Sequence, residues 1–161
     1  MDDVFIAPNT VIGAEGLITL RRDDGELLMV RHAGGVEVGQ GSQILAGAVI
    51  AKSLFSSFTR IGRNCQIGIL ANVGHGVSIG DDSVVSGNTV IAGRTRLGPK
   101  VWVGASASIA QGLEVGEGAQ IKMGAVVIGN VDRGQVVSGN FAVTHTASMR
   151  NFFKIRSYEK H

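Results

Sequence analysis

A six-residue period runs through the middle of this 161-residue chain and restricts its fold more than any other feature. Every sixth position from Ile61 to Val127 is Ile, Val or Leu, which gives twelve consecutive matches. Glycine directly follows many of these positions, and a small or β-branched side chain, such as Cys65 or Ala71, mostly stands four positions after each. Hexapeptide periodicity of this kind is typical of a parallel β-helix, in which each repeat forms one side of a coil.

The composition fits such a coil. Hydrophobic residues make up 44% of the chain but aromatic residues only 5%, as expected for a narrow interior filled by aliphatic and small side chains. The 24 glycines are largely periodic, which indicates repeated corners rather than a flexible linker. We therefore expect one domain of triangular coils, each of about 18 residues and stacked about 4.8 Å from the next.

Two segments interrupt the period, and a third follows it. Residues 17–32 contain two strand-like runs around an Asp-Gly turn, which predicts a hairpin excursion ending near His32, interpreted as a structural residue. Residues 51–60 form a second loop, where the phase slips by one. Beyond Gly139 the spacing of apolar side chains predicts a helix with Thr144 as its N-cap. The sequence thus predicts an all-β parallel helix over 1–140 and a C-terminal helical extension over 141–161.

Charge and cysteine content exclude several classes of protein. A net charge of +2 and a pI near 9.0 are too mild to indicate nucleic-acid binding, and no cluster of aromatic and basic residues is present. Cys65 is the only cysteine, so no intrachain disulfide can form, and we interpret it as a packing residue. No signal peptide or membrane-spanning run is recognisable. We expect a soluble, cytoplasmic protein.

His75 is the candidate catalytic residue because of its position in the repeat. It lies two residues after the inward-facing Val73, at a corner, between two glycines that leave room for a ligand. A neutral imidazole can accept a proton from an amine or hydroxyl nucleophile. Residues 18 apart stack on adjacent coils, so Gly93 follows His75 and could direct its N–H at a developing oxyanion. From the spacing alone, an inert surface histidine and a glycine that merely serves a corner are open alternatives.

Three stretches resemble the hexapeptide-repeat acyltransferases, and most of all the β-helical part of the UDP-3-O-(3-hydroxyacyl)glucosamine N-acyltransferases of lipid A synthesis. They are residues 32–38, residues 73–93 and residues 137–150. The resemblance implies a left-handed coil, although parallel crossovers are generally right-handed. It also implies that His75 is the general base and that Gly93 is the oxyanion donor.

The chain departs from the pattern of that family at several positions. Gly68-Ile69 stands where the family has Asp-Asn, Gly112 lies near its second active-site histidine, and Phe141 replaces a proline. The family also carries an N-terminal uridine-binding domain ahead of the repeat, whereas the sequence here starts directly with the repeat. These departures concern recognition of UDP and of a long acyl chain, and they leave the base and the oxyanion donor in place.

The resemblance further implies a homotrimer with the active site between subunits. The co-substrate is expected to be an acyl-CoA, most simply acetyl-CoA, or an acyl carrier protein, with no resident cofactor and no metal. The acceptor is expected to be an amino group of a sugar or nucleotide sugar. Gln111 would contact a substrate, Gly129 and Asn130 the pantetheine arm, and Arg150 and Lys154 the CoA phosphates or an acidic carrier. A solvated helix face is the alternative for the last two.

Three alternative functions are also compatible with a β-helix of this kind. An acyl-carrier-dependent enzyme of lipid A synthesis is the first. A γ-type carbonic anhydrase is the second, but it needs three histidines around zinc, and Gly80 stands where the second histidine is required. A non-catalytic β-helical scaffold is the third.

Overall fold

The computed structural model describes residues 3–139 and 142–158; in the C-terminal helix, side chains are described up to Arg150 and at Lys154. The chain winds as a left-handed parallel β-helix, so the predicted fold class is confirmed. Its first face consists of strands β1 (Phe5–Ile6), β6 (Gln43–Ile44), β9 (Gln66–Ile67), β12 (Val84–Val85), β15 (Trp102–Val103), β18 (Gln120–Ile121) and β20 (Val136–Val137). Its second face consists of β2 (Val11–Ala14), β7 (Val49–Ala51), β10 (Asn72–Val73), β13 (Val90–Ile91), β16 (Ser108–Ile109) and β19 (Val126–Val127). Its third face consists of β5 (Gly35–Val38), β8 (Phe58–Ile61), β11 (Ser78–Ile79), β14 (Arg96–Leu97) and β17 (Glu114–Val115).

The coils stack with the predicted 18-residue register. Asn72 pairs with Val90 and Val73 with Ile91, and each of these partners is 18 positions further along the chain. The aliphatic residue of every strand from β6 to β19 points inward and is buried, whereas its neighbour points outward. The alternation follows from the two-residue period of a strand. A single coil buries too little apolar surface to be stable, so stability comes from stacking.

Polar residues in the interior satisfy their own hydrogen bonds. The hydroxyls of the buried Ser83, Thr89 and Thr95 each donate to the carbonyl oxygen of a residue 15 positions further on, at 2.9–3.2 Å. Cys65 is fully buried in an equivalent slot, with its Sγ 3.3 Å from the Gly80 carbonyl oxygen, and burial raises the pKa of its thiol. The interpretation of Cys65 as a packing residue is confirmed.

The glycines that follow the inward aliphatic residues are required by close approach between coils. At Gly74, for example, an added Cβ would lie 2.7 Å from the backbone nitrogen of Gly93, far inside ordinary contact. The left-handed conformation of the corners falls two positions later, on residues such as Gly76 (φ +66°) and Arg94 (φ +61°). Glycine therefore does mark the corners, as predicted. Most of these glycines are needed because the neighbouring coil leaves no room for a Cβ, and not because of their backbone conformation.

The predicted hairpin excursion and the helix are both present. Strands β3 (Thr19–Arg21) and β4 (Leu27–Met29) pair antiparallel around the Asp24-Gly25 turn. Helix α1 (His145–Tyr158) begins after Thr144, whose hydroxyl accepts the Ala147 N–H at 3.4 Å, so the predicted N-cap is confirmed. The proposed boundary between residues 140 and 141 lies outside the described residues. Among the described residues no helix is long and apolar enough to cross a membrane.

Candidate functional site

His75 lies at the corner that joins β10 on the second face to β11 on the third. The inward Val73 anchors one side of this corner, and the Thr59 hydroxyl accepts the N–H of Gly76 at 2.8 Å on the other. The His75 imidazole is partly buried, and it lines a cavity. The repeat therefore fixes the backbone of this histidine while leaving its ring open to a ligand.

Gly93 lies against the His75 ring from the next coil. The N–H of Arg94 donates to the His75 carbonyl oxygen at 2.8 Å, which stacks the two corners directly. A Cβ added to Gly93 would lie 2.7 Å from Cε1 and 2.8 Å from Cδ2 of the imidazole, and closer still to Nε2. Within the described residues, the Gly93 N–H donates to no acceptor. An imidazole nitrogen and an unused peptide N–H thus lie one coil apart at the same corner.

His32 packs against the other side of the His75 ring. The two ring centroids are 5.4 Å apart and the planes are inclined by 47°. His32 comes from the end of the hairpin excursion and is only 4% exposed. A Cβ added to Gly16 would lie 2.8 Å from His32 Nε2 and 3.2 Å from His75 Cδ2, so this glycine makes room for both rings. The structural role expected for His32 agrees with its burial, but its contact with His75 was not predicted.

Glu15 connects His32 to a lysine on the second loop. Its carboxylate accepts the His32 backbone N–H at 2.8 Å, lies 3.1 Å from His32 Nδ1, and pairs with Lys52 Nζ at 2.8 Å. The hydrogen bonds from Lys52 and from the His32 backbone lower the pKa of Glu15 to about 2. Glu15 is therefore ionised throughout the neutral range.

The surroundings of His75 lower the pKa of its imidazole. Burial of the ring is the largest cause, followed by the positive charge that His32 carries when protonated and by the Arg94 guanidinium. Each of these disfavours the imidazolium form. At pH 7 the ring is accordingly neutral and has a free lone pair, which is the state that a general base requires.

A cavity of about 520 Å³ opens beside His75 and carries three arginines that the sequence analysis did not single out. Arg60, Arg94 and Arg96 line it together with the apolar side chains of Ile18, Leu54, Phe55 and Phe58. Arg60 pairs with Glu37 at 2.7 Å and Arg96 with Glu114 at 3.5 Å, whereas Arg94 forms no ion pair among the described residues. The arrangement suits a ligand with an anionic part and an apolar or planar part.

The other candidate residues lie away from this cavity. The Gly112 N–H donates to the Gly93 carbonyl oxygen at 3.0 Å, so the exposed Gln111 continues the corner column by one coil. Gly129 and Asn130 line a separate depression of about 220 Å³, where Asn130 Oδ1 accepts the Glu114 N–H at 3.0 Å. Arg150 and Lys154 are exposed on α1. Of the predicted residues, the structure brings His75 and Gly93 together.

No group of three His, Cys, Asp or Glu side chains forms a set of metal ligands in the part of the chain that the structure describes. His32 and His75 do contact each other, through ring packing.

Comparison with known proteins agrees with the repeat and the fold. Residues 58–93 match the family model "Bacterial transferase hexapeptide (six repeats)", and residues 94–128 match "Hexapeptide repeat of succinyl-transferase". A UDP-3-O-acylglucosamine N-acyltransferase of Coxiella burnetii (strain Dugway 5J108-111) is 33% identical over 86 residues, which cover 53% of this chain and 25% of the relative. The match thus spans about a quarter of the length of the curated relatives.

Two solved structures share the architecture over most of the chain. WeeI from Acinetobacter baumannii AYE superposes with a TM-score of 0.65 and 27% identity, covering 84% of this chain and 55% of the other. The acetyltransferase domain of PglB from Neisseria gonorrhoeae FA1090, solved in complex with acetyl coenzyme A, gives a TM-score of 0.67 at 24% identity. That match covers 88% of this chain and 57% of the other, and at this identity it supports the fold alone.

Proposed function

We propose that this chain, which belongs to the hexapeptide-repeat transferases, moves an acyl group, most simply acetyl, from a CoA thioester to an amino group of a sugar or nucleotide sugar. One observation carries the proposal: the Nε2 edge of the His75 imidazole lies against Gly93, whose N–H donates to no described acceptor. A base and an oxyanion donor at one corner are the two groups that acyl transfer from a thioester needs.

In the proposed reaction, the neutral His75 accepts a proton as the acceptor nitrogen attacks the thioester carbonyl carbon. A carbon–nitrogen bond forms, and the carbonyl oxygen becomes an oxyanion that the Gly93 N–H stabilises. The tetrahedral intermediate then collapses, the carbon–sulfur bond breaks, and the CoA thiolate takes the proton from the imidazolium. The products are an amide and free CoA, and His75 returns to its neutral state.

The cavity beside His75 is the proposed binding site for the acceptor. Arg94 and Arg96 can bind phosphate oxygens, since guanidinium groups recognise phosphate through paired hydrogen bonds. Phe55 and Phe58 supply apolar surface at the same opening, where a sugar or a base could pack. A nucleotide sugar combines both features, and for this reason it is preferred here over a simple amine.

The donor is proposed to lie along the column formed by residues 75, 93 and 111. Gln111 would contact either substrate, and main-chain groups of Gly129 and Asn130 would bind the pantetheine arm. Arg150 and Lys154 are proposed to bind the CoA phosphates. An acyl carrier protein is the alternative donor, because the same two basic residues would suit its acidic surface.

We further propose a homotrimer, in which the second face of the prism packs against a neighbouring subunit. Along this face the outward positions include Val11, Val90 and Val126, which are exposed by 46–69%, and the polar Asn72 and Ser108 lie in the same column. The third face instead presents Arg and Glu side chains outward. Association would bury these valines, and a ring of three copies closes without leaving them exposed.

The test combines ligand binding with turnover. A panel of CoA thioesters, acyl carrier thioesters and nucleotide amino sugars is screened by thermal shift, because a ligand that binds only the native state raises its melting temperature. Release of CoA thiol is then measured with the binding pair, for the wild type and for His75→Ala. We expect turnover to fall at least about 100-fold in the variant, with an unchanged melting temperature. Equal turnover in the two proteins would refute the assigned base, and a panel without any binder would favour a scaffold.

A further inference from the structure

A buried histidine that the reaction does not use lies behind the proposed base. His32 is 4% exposed and packs on the His75 ring at a centroid distance of 5.4 Å. Its Nε2 is fully buried, and within the described residues it has no hydrogen-bond partner. Buried polar atoms without a partner are uncommon, because no hydrogen bond offsets the free energy lost when the atom leaves water. A ring retained under these conditions calls for a role beyond filling space.

The other ring nitrogen is held by a charged group. Glu15 Oε2 lies 3.1 Å from His32 Nδ1 and is only 2.8 Å from the backbone N–H of the same residue. The Gly16 N–H also donates to His32 Nδ1 at 3.2 Å, so this ring nitrogen lies between a backbone donor and the Glu15 carboxylate. Lys52 Nζ binds the second carboxylate oxygen at 2.8 Å and fixes Glu15 in turn. These contacts fix the orientation of the His32 ring.

The His75 ring has no comparable anchor of its own. No hydrogen bond to a His75 ring nitrogen is formed within the described ranges, and its corner neighbours are Gly74 and Gly76, which have no side chains. Its ring instead lies between Gly93 on one side and the Gly16–His32 layer on the other. The orientation of this imidazole therefore depends on the surfaces that confine it.

We propose that His32, fixed by Glu15 and Lys52, is a positioning residue that orients the His75 imidazole toward the cavity. The proposal rests on the proposed function only in taking His75 as the base. His32 is not itself a catalytic residue, since its Nε2 is shielded from any ligand in the cavity. A second consequence is electrostatic: positive charge on His32 is one of the causes that lower the pKa of His75.

The charged and titratable groups that surround His75 must be considered together. They are His32 at the end of the excursion, Glu15 just before it, Lys52 on the second loop, Arg94 and Arg96 from the next coil, and Arg60 at the cavity wall. Replacement of His32 removes one source of positive charge and leaves the three arginines in place. The pKa of His75 should therefore rise in a His32 variant, toward its ordinary value of 6.5.

The experiment uses three variants of the full chain. His32→Asn keeps an N–H group near the position of Nδ1 but removes the ring. Glu15→Gln keeps the shape of its side chain but removes the charge, at a residue whose side chain is 30% exposed and therefore tolerant of change. Glu26→Gln is the matched control, since it breaks an exposed ion pair with Arg22 elsewhere on the same excursion. Imidazole resonances are titrated by NMR, and the pH dependence of kcat/KM is measured with the best donor and acceptor.

We expect the His75 pKa to rise in His32→Asn and kcat to fall by up to about 100-fold, with little change in KM, because a misplaced base slows the reaction without weakening substrate binding. Glu15→Gln should lower kcat in the same way, because it weakens the contact that holds the His32 ring, while Glu26→Gln matches the wild type. An unchanged His75 titration in a folded His32→Asn would overturn the proposal, and so would normal kcat in both variants. If His32→Asn does not fold, the kcat of Glu15→Gln tests the proposal instead. If the wild type transfers no acyl group, the proposed function fails, whereas the titration still tests the contact between the rings.

Discussion

Gly93→Ala is the substitution that tests the geometry of the proposed site most sharply. The three atoms nearest to the added Cβ all belong to the His75 ring, and two of them lie 2.7 and 2.8 Å away. The backbone φ of Gly93 is outside the left-handed region, so alanine introduces no strain of its own. The imidazole alone must give way.

The size of the effect follows from that distance. To reach an ordinary contact of 3.4 Å or more, the ring has to withdraw by about 1 Å, and a displacement of about 1 Å typically lowers turnover about 100-fold. This corresponds to about 2.7 kcal/mol of lost transition-state stabilisation. The assay is release of CoA thiol, with circular dichroism and sedimentation to check the fold.

The double variant His75→Ala/Gly93→Ala is the control for a steric mechanism. With the ring removed, the alanine at position 93 meets no obstacle, so the melting temperature lost in Gly93→Ala should be recovered. Turnover should equal that of His75→Ala alone. A folded Gly93→Ala with normal turnover would refute the placement of the base against this glycine.

Further predictions concern the charges around the site and the buried thiol. The pKa of His75 is lowered, so the acid limb of the kcat/KM profile, with a slope of one, should be centred below pH 6.5. An acid limb centred above 6.5 would contradict the assignment. Glu15 has a pKa of about 2 in the folded chain against an ordinary 4.5. Its ionised form therefore stabilises the fold above pH 4.5, and this contribution is lost as the pH falls toward 2. The melting temperature of Glu15→Gln should show less dependence on pH across that interval than the wild type does, and equal profiles would argue against the ion pair with Lys52. Arg94→Gln should raise KM for a phosphorylated acceptor by about 10-fold or more and leave a phosphate-free acceptor unaffected; an equal effect on both would exclude phosphate recognition. Cys65 should react with Ellman's reagent only after unfolding, because burial raises its pKa; rapid labelling of the native protein would show that the coil opens.

Much of the fold follows directly from the sequence, because each coil repeats one local rule. The inward aliphatic, the small slot and the corner glycine each have a single physical cause, so the repeat predicts both the strand positions and the 18-residue register. The same register brings Gly93 onto His75 without any long-range information. Handedness came from the resemblance, since the residues themselves provide no argument for it.

The site residues that could not be predicted from the sequence lie mainly where the repeat is interrupted. His32 ends the excursion, Glu15 directly precedes it and Lys52 belongs to the second loop, and no period relates these segments to the corner at His75. The arginines of the cavity do occupy repeat positions, because Arg60, Arg96 and Ser78 share the outward side of the third face. Their column could have been read from the 18-residue spacing, but its proximity to His75 depends on the fold of the second loop.

The central claim is that His75 and the Gly93 N–H act on one thioester. It is tested most directly by a crystal structure with a stable ketone analogue of acetyl-CoA, in which a methylene group replaces the sulfur. We expect the ketone oxygen to accept the Gly93 N–H at about 2.7–3.1 Å, with His75 Nε2 facing the carbonyl carbon from the side of the arginine-lined cavity. An analogue bound elsewhere on the prism, with its carbonyl remote from both residues, would contradict the mechanism.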